Sequence, residues 1–151
     1  MKIFGKELRE YIWPIRYYII GAILAVISQY YVAVPLNNRF SFILNLTQAL
    51  WTVMVALSVI KLTLYYDFTF KNVLFLGVLY SFIIHGLKAF VFRVFLFPYH
   101  GFSAGQVHWY LLNRFLYGSF LVMIIIIILG FMFIKLKNNP EVIKSFRWLN
   151  I

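Results

Sequence analysis

Four apolar stretches, at about residues 17–36, 42–66, 73–97 and 107–134, take up most of the sequence and leave little chain between them. Each reaches the ~20 residues that an α-helix needs to cross ~30 Å of hydrocarbon, a medium in which the backbone must satisfy its own hydrogen bonds. The expected fold is all-α: a polytopic integral membrane protein, an antiparallel four-transmembrane-helix bundle in a single membrane domain over residues 1–151. Charge agrees with this. Only 12% of the 151 residues are charged and 64% are hydrophobic, against the ~25% charged residues of soluble domains, so no polar coat for a soluble core exists. The first stretch exceeds the apolar length of a secretion signal and lacks a small-x-small cleavage site, which makes it an uncleaved span.

The breaks are short: Asn37-Asn38-Arg39, Asp67 to Asn72, and Pro98 to Gln106. Tight connections make sequential helices antiparallel neighbours. Bases then orient the spans. Lys2, Lys6, Arg9 and Arg16 precede the first, Lys61 and Lys71 flank the second connection, and Lys135, Lys137, Lys144 and Arg147 follow the fourth, whereas the other two connections hold only Arg39. Both termini are expected in the cytoplasm, in a cell or inner membrane. Residues 1–16 and 135–151 are expected as interfacial tails, since Phe4, Leu8 and Ile12, and likewise Val142, Phe146 and Leu149, recur at helical spacing among charges. Trp13, Tyr30, Tyr31, Tyr65, Tyr66, Tyr99 and Trp109 read as an aromatic belt.

Polar residues inside the spans carry the functional signal, because each costs free energy unless it meets protein, water or a ligand. Asn45, Gln48 and Thr52 share a face of helix 2; Gly77, Ser81, His85, Lys88 and Phe92 share one of helix 3, with Arg93 further round; Tyr110, Asn113, Arg114 and Tyr117 share one of helix 4. Helix 1 adds Ser28 and Gln29. Except for Gly77 and Ser81, all lie from mid-membrane toward the end bearing the Arg39 and Pro98 connections. Lys88, Arg93 and Arg114 have no acid of their own chain within the spans, as Glu7, Glu10 and Glu141 are in the tails and Asp67 is at the opposite surface. A base without counter-charge in hydrocarbon calls for an outside anion. Arg93 and Arg114 are within snorkelling reach of the interface; Lys88 sits roughly 13 Å down, near His85.

Other chemistries are excluded or weak. The chain has no cysteine, which removes thiolate metal sites and thiol nucleophiles. His85 and His108 differ by roughly 16 Å in depth, which rules out a shared haem. His100 with His108 lacks a third ligand, and magnesium-dependent or proton-coupled chemistry lacks intramembrane carboxylates, so no metal and no cofactor is expected. An enzyme using His85 or His100 is the least favoured reading. Asn45-Leu46-Thr47 lies within helix 2, out of reach of a glycosyltransferase, and Gly101 with Gly105 falls in a loop. Gly21 with Ala25, and Gly77 with Ser81, are expected to let helices 1 and 3 pack closely.

The leading expectation is a non-enzymatic small membrane subunit or accessory protein. It would bind an anionic group, a lipid headgroup or lipid-linked phosphate, in a basic pocket opening to the non-cytoplasmic leaflet. Lys88, Arg93 and Arg114 would supply charge, and His85, Asn45, Gln48, Asn113 and Tyr117 would orient the ligand. The alternatives are a scaffold or assembly subunit whose intramembrane bases pair with a partner's carboxylates, and an oligomeric pore-forming effector. Expected partners are anionic membrane lipids and a protein partner or homo-oligomer, with no nucleic acid: a net charge of +10 in such a chain favours lipid phosphates.

Overall fold

The computed structural model describes residues 2–40, 42–96 and 103–150. Four helices are long and apolar enough to cross a membrane: α1 (Leu8–Leu36), α2 (Phe42–Tyr65), α3 (Phe70–Leu96) and α4 (Ala104–Leu136). The protein is all-α in class and a membrane protein by the length and hydropathy of these helices. Pro98, Tyr99, His100 and Gly101 of the third connection lie outside the described residues. Gly105, expected in that connection, stands instead in the first turn of α4. Ser103 and Gln106 start the helix there: the Gln106 N–H donates to Ser103 Oγ at 3.3 Å and the Ser103 N–H to Gln106 Oε1 at 2.9 Å, satisfying two groups that a helix start leaves open.

The tails depart from expectation. Residues 2–7 form no helix: β1 (Lys2–Ile3) pairs antiparallel with β2 (Lys6–Glu7) around Phe4 and Gly5, whose φ angles are 48° and 87°. Two consecutive left-handed residues make the tight turn whose twist suits a hairpin, and Gly5 adopts it without steric cost. This hairpin is pinned to the start of α3. Asn72 Nδ2 donates to Phe4 O at 3.1 Å and to Tyr11 Oη at 2.7 Å, and the Tyr11 hydroxyl donates to Ile3 O at 2.9 Å. Tyr11 is fully buried, its ring edge-on to Phe68 and Phe75.

At the other terminus, α5 (Pro140–Ser145) begins at an Asn139 cap and folds back. Leu149, Phe146 and Val142 pack on Ile60 and Phe133, and the Tyr65 hydroxyl donates to Ile143 O at 3.2 Å. Its apolar side is therefore turned to the ends of α2 and α4. Lys137 pairs with Asp67 at 3.4 Å. Both tails and the α2–α3 connection thus share one end of the molecule, the tail end; the α1–α2 connection stands at the other.

Buried stripes recur at helical spacing. On α2 they are Trp51, Val55, Ser58, Val59 and Leu62; on α3, Val73, Leu76, Tyr80 and Ile84; on α4, Gly118, Val122, Ile126, Gly130 and Phe133. Small residues set the close approaches: Gly21 of α1 faces Met54 of α2, Gly77 of α3 faces Met123 of α4, and Gly130 of α4 faces Val73 of α3. Ser58 and Tyr80 join α2 to α3 through a short hydroxyl–hydroxyl hydrogen bond. The centre of the tail half is consequently close-packed, with Val55, Val59, Leu76, Tyr80, Val122 and Ile126 fully buried.

Three stretches of the spans depart from α winding: Trp13–Ile15 in α1 is a 3-10 turn around Pro14, and Gln29–Ala33 in α1 and Phe82–Phe92 in α3 are π-helical. The π winding is rare and frequent at functional sites, and each of its turns admits an extra residue. The two π stretches face each other. The Tyr30 hydroxyl donates to Lys88 O at 3.2 Å, and the Tyr30 ring stacks on Phe92 with centroids 5.1 Å apart. Tyr30, expected in the aromatic belt, is therefore an interior residue, whereas Trp13, Tyr31 and Trp109 are exposed as a belt requires.

Candidate functional site

Between the π segments and the loop-side halves of α2 and α4 lies a cavity of about 210 Å³. Every helix contributes: Gln29 and Tyr30 from α1, Gln48 and Trp51 from α2, His85, Lys88 and Ala89 from α3, and Arg114, Tyr117, Gly118 and Leu121 from α4. Lys88 stands eight residues before the end of α3 at Leu96, or about 12 Å along the axis. The site is therefore set inside the span, well back from Leu96.

Lys88 is the centre of the charge. Its side chain is 8% exposed, and its ammonium lies over the Trp51 ring, 4.8 Å from the centroid. Among the described residues no carboxylate or other acceptor pairs with it, so the indole face is the compensation the chain itself offers. Trp51 also meets the edge of His85, with centroids 5.6 Å apart. His85 fits only because residue 118 is glycine, since a β-carbon at that position would overlap the imidazole ring. On the rim, Arg114 is exposed and held by its Nη1 donating to Tyr110 Oη at 2.8 Å.

Hydrogen-bonding capacity is left unspent here. Of the buried polar atoms without a partner among the described residues, three belong to the cavity wall: Gln29 Oε1, Trp51 Nε1 and His85 Nε2. Native interiors almost always satisfy such groups, so three around one cavity mark a place built to be occupied. No three of His, Cys, Asp and Glu converge among the described residues, and His85 alone offers a nitrogen ligand within the cavity.

No protein-family model, curated protein or solved structure matches the chain. The site must be read from its own chemistry.

Five of the residues expected from the sequence line the cavity: Lys88, His85, Gln48, Arg114 and Tyr117. Three do not. Asn45 and Asn113 are exposed on α2 and α4, and Arg93 is half-buried beyond Lys88 on α3; each lies off the wall, as Asn45 is one turn too near the loop end and the π winding has carried Arg93 past the cavity. Thr52 turns inward on its own helix and donates to Gln48 O at 2.9 Å, so the α2 stripe is not one continuous polar line. Gln29, Tyr30, Trp51, Ala89, Gly118 and Leu121 complete the wall without having been expected there. Trp51 was detectable: it follows Gln48 by three residues, on the same face, and an indole deep in a span is out of place in a belt.

The wall is unequal in exposure, and this locates the mouth. Gln29, Tyr30, Trp51, Lys88, Ala89 and Gly118 are buried, while Gln48, Arg114, Tyr117 and Leu121 are exposed, Tyr117 by 69%. The floor is thus made by α1 and α3 and the opening lies sideways, between α2 and α4.

Proposed function

We propose that this protein is a non-enzymatic membrane accessory protein or subunit that receives an anionic phosphate-bearing group in the cavity around Lys88. The observation that carries this reading is a buried ammonium with no acid partner, facing a cavity whose wall keeps three further polar atoms unpaired. A phosphate answers both needs, accepting charge-assisted hydrogen bonds from Lys88 and Arg114 and a neutral one from the Trp51 N–H. Nothing in the cavity assembles a nucleophile with a base and an orienting group, which is why binding is preferred over turnover.

Base counting supports a cytoplasmic tail end, with the cavity in the far leaflet. The decisive experiment replaces Lys88 and Arg114 together by Leu and measures phospholipid retained through purification. Loss of anionic lipid with neutral lipid unchanged is the expected result; an unchanged anionic fraction refutes the reading. A second reading, an assembly subunit, draws on Asn45 and Asn113, amides exposed on α2 and α4, which hydrocarbon does not satisfy and a partner helix would. Native mass spectrometry in mild detergent separates the two, since a stoichiometric protein companion lost on replacing both amides by Leu favours assembly.

A further inference from the structure

The polar atoms of the cavity are of two kinds, and their arrangement narrows the ligand. Donors and positive charge come from α2, α3 and α4: the Trp51 N–H, Lys88 and Arg114. Opposite them α1 offers an acceptor, Gln29 Oε1, on a side chain 8% exposed and without a partner. His85 Nε2 serves in either role according to its tautomer. A phosphate satisfies the donors only. Gln29 Oε1 needs a hydrogen-bond donor on the ligand itself, or it stays buried and unpaired.

Headgroup chemistries divide on this point. A choline group has no N–H or O–H to give. An ethanolamine ammonium has donors but would bring a positive charge beside Lys88 and Arg114. A hydroxyl is a donor without charge and suits a site that already holds two bases.

Size adds a second restriction. At about 210 Å³ the cavity is below the ~300–1,000 Å³ of sites that enclose a whole small molecule. It takes a headgroup and leaves the remainder outside. The mouth lies between Gln48 on α2 and Tyr117 and Leu121 on α4, and exposed Ile124 and Ile128 continue the Tyr117–Leu121 face of α4 at helical spacing, surface suited to an acyl or prenyl chain.

Resting on the binding reading above, we infer that the ligand is a hydroxyl-bearing phosphate headgroup, a phosphoglycerol or a sugar phosphate, on a membrane amphiphile that slides in sideways between α2 and α4. The phosphate sits among Lys88, Arg114 and the Trp51 N–H, with a hydroxyl donating to Gln29 Oε1.

The test compares two lipids of equal charge. Full-length protein in detergent is titrated with phosphatidylglycerol or with phosphatidylmethanol, a diester of the same single negative charge that has no hydroxyl, and bound lipid is counted by native mass spectrometry. Only binding lost in the Lys88→Leu, Arg114→Leu variant is scored. Phosphatidylglycerol should be retained at least about tenfold better, the scale of one buried acceptor left unpaired, and Gln29→Met should erase that preference without changing phosphatidylmethanol retention. Equal retention of the two lipids by the unaltered protein overturns the hydroxyl assignment and leaves the anionic reading standing. Equal retention of phosphatidylcholine overturns both. Displacement of bound phosphatidylglycerol by millimolar soluble glycerol phosphate assigns the site to a free phosphate and refutes sideways access by an amphiphile.

Discussion

Lys88 should be a residue that the fold is better off without. A lysine at the centre of a membrane span costs ~2.5–3.5 kcal/mol on insertion scales, and Lys88 is about 12 Å from its helix end, too deep for its ammonium to escape past the Trp51 ring that covers it. A desolvated cation–π contact returns ~2 kcal/mol. The difference leaves the native state carrying ~1 kcal/mol of unrelieved cost, since no acid among the described residues offsets it. Lys88→Met keeps the length and the packing against Trp51 while removing the charge, and is expected to stabilise the protein by ~1 kcal/mol, about a fivefold shift in the folding equilibrium.

Reversible unfolding in mixed micelles measures this, in lipid-free protein so that ligand linkage does not enter. A double-mutant cycle with Trp51→Leu isolates the ring contact, because the packing lost by removing the indole cancels between the two arms. The coupling is expected near 2 kcal/mol. Destabilisation by Lys88→Met of more than ~1 kcal/mol, or a coupling under ~0.5 kcal/mol, would refute the reasoning, since Lys88 would then be a structural residue paid for by packing rather than one held ready for a ligand.

Three further outcomes are expected. Gly118→Leu should drive the His85 ring out of its place and fill the cavity, abolishing anionic lipid retention while costing ~1–3 kcal/mol by overpacking, whereas Gly105→Leu, where nothing stands close, should leave lipid retention unchanged; both are read by lipid analysis beside unfolding curves. Tyr80→Phe removes the hydroxyl shared with Ser58 and should cost ~0.6 kcal/mol, the usual scale of hydrogen bonds between membrane helices, with no effect on lipid. Because the chain has no cysteine, single-cysteine variants report topology without background: Asn138→Cys should react with an impermeant maleimide only after cells are opened and Ser103→Cys before, and the reverse pattern would invert the orientation inferred from the bases.

The spans were legible because hydrocarbon thickness and backbone hydrogen bonding leave a chain of this composition one kind of solution. The helix ends were less so, since they depend on single contacts: Asn72 reaching the hairpin at Phe4 fixes the first tail, and no periodicity announces it. Within the site, depth and residue type pointed to Lys88, His85 and Arg114, which line the cavity, and equally to Arg93, which does not. What 3.6-residue arithmetic does not give is azimuth along a π segment. From Phe82 to Phe92 the helix turns less per residue than the arithmetic assumes, so a face drawn through His85 and Lys88 does not fix the direction of Arg93 five residues on. Tyr30, placed in the belt by its type and its nearness to a span end, is instead buried against Phe92.

The π windings also bear on why a cavity exists at this depth. An α-helical α3 packed as tightly as its tail-end half would bring a close-packed surface against Trp51 and Gly118 and leave no room beside Lys88. Widening the turn separates the α3 backbone from its neighbours, and the Tyr30 hydroxyl on Lys88 O fastens the widened stretch of α3 to that of α1. The π winding, an unpaired ammonium and three of the unsatisfied buried polar atoms among the described residues therefore coincide around one cavity, while Val55, Val59, Leu76, Tyr80, Val122 and Ile126 toward the tail end are fully buried. The concentration of winding, charge and unpaired atoms around one sideways opening is what a binding site supported by a rigid base requires, and it ties the occupant of the cavity to the stability of the helices that frame it.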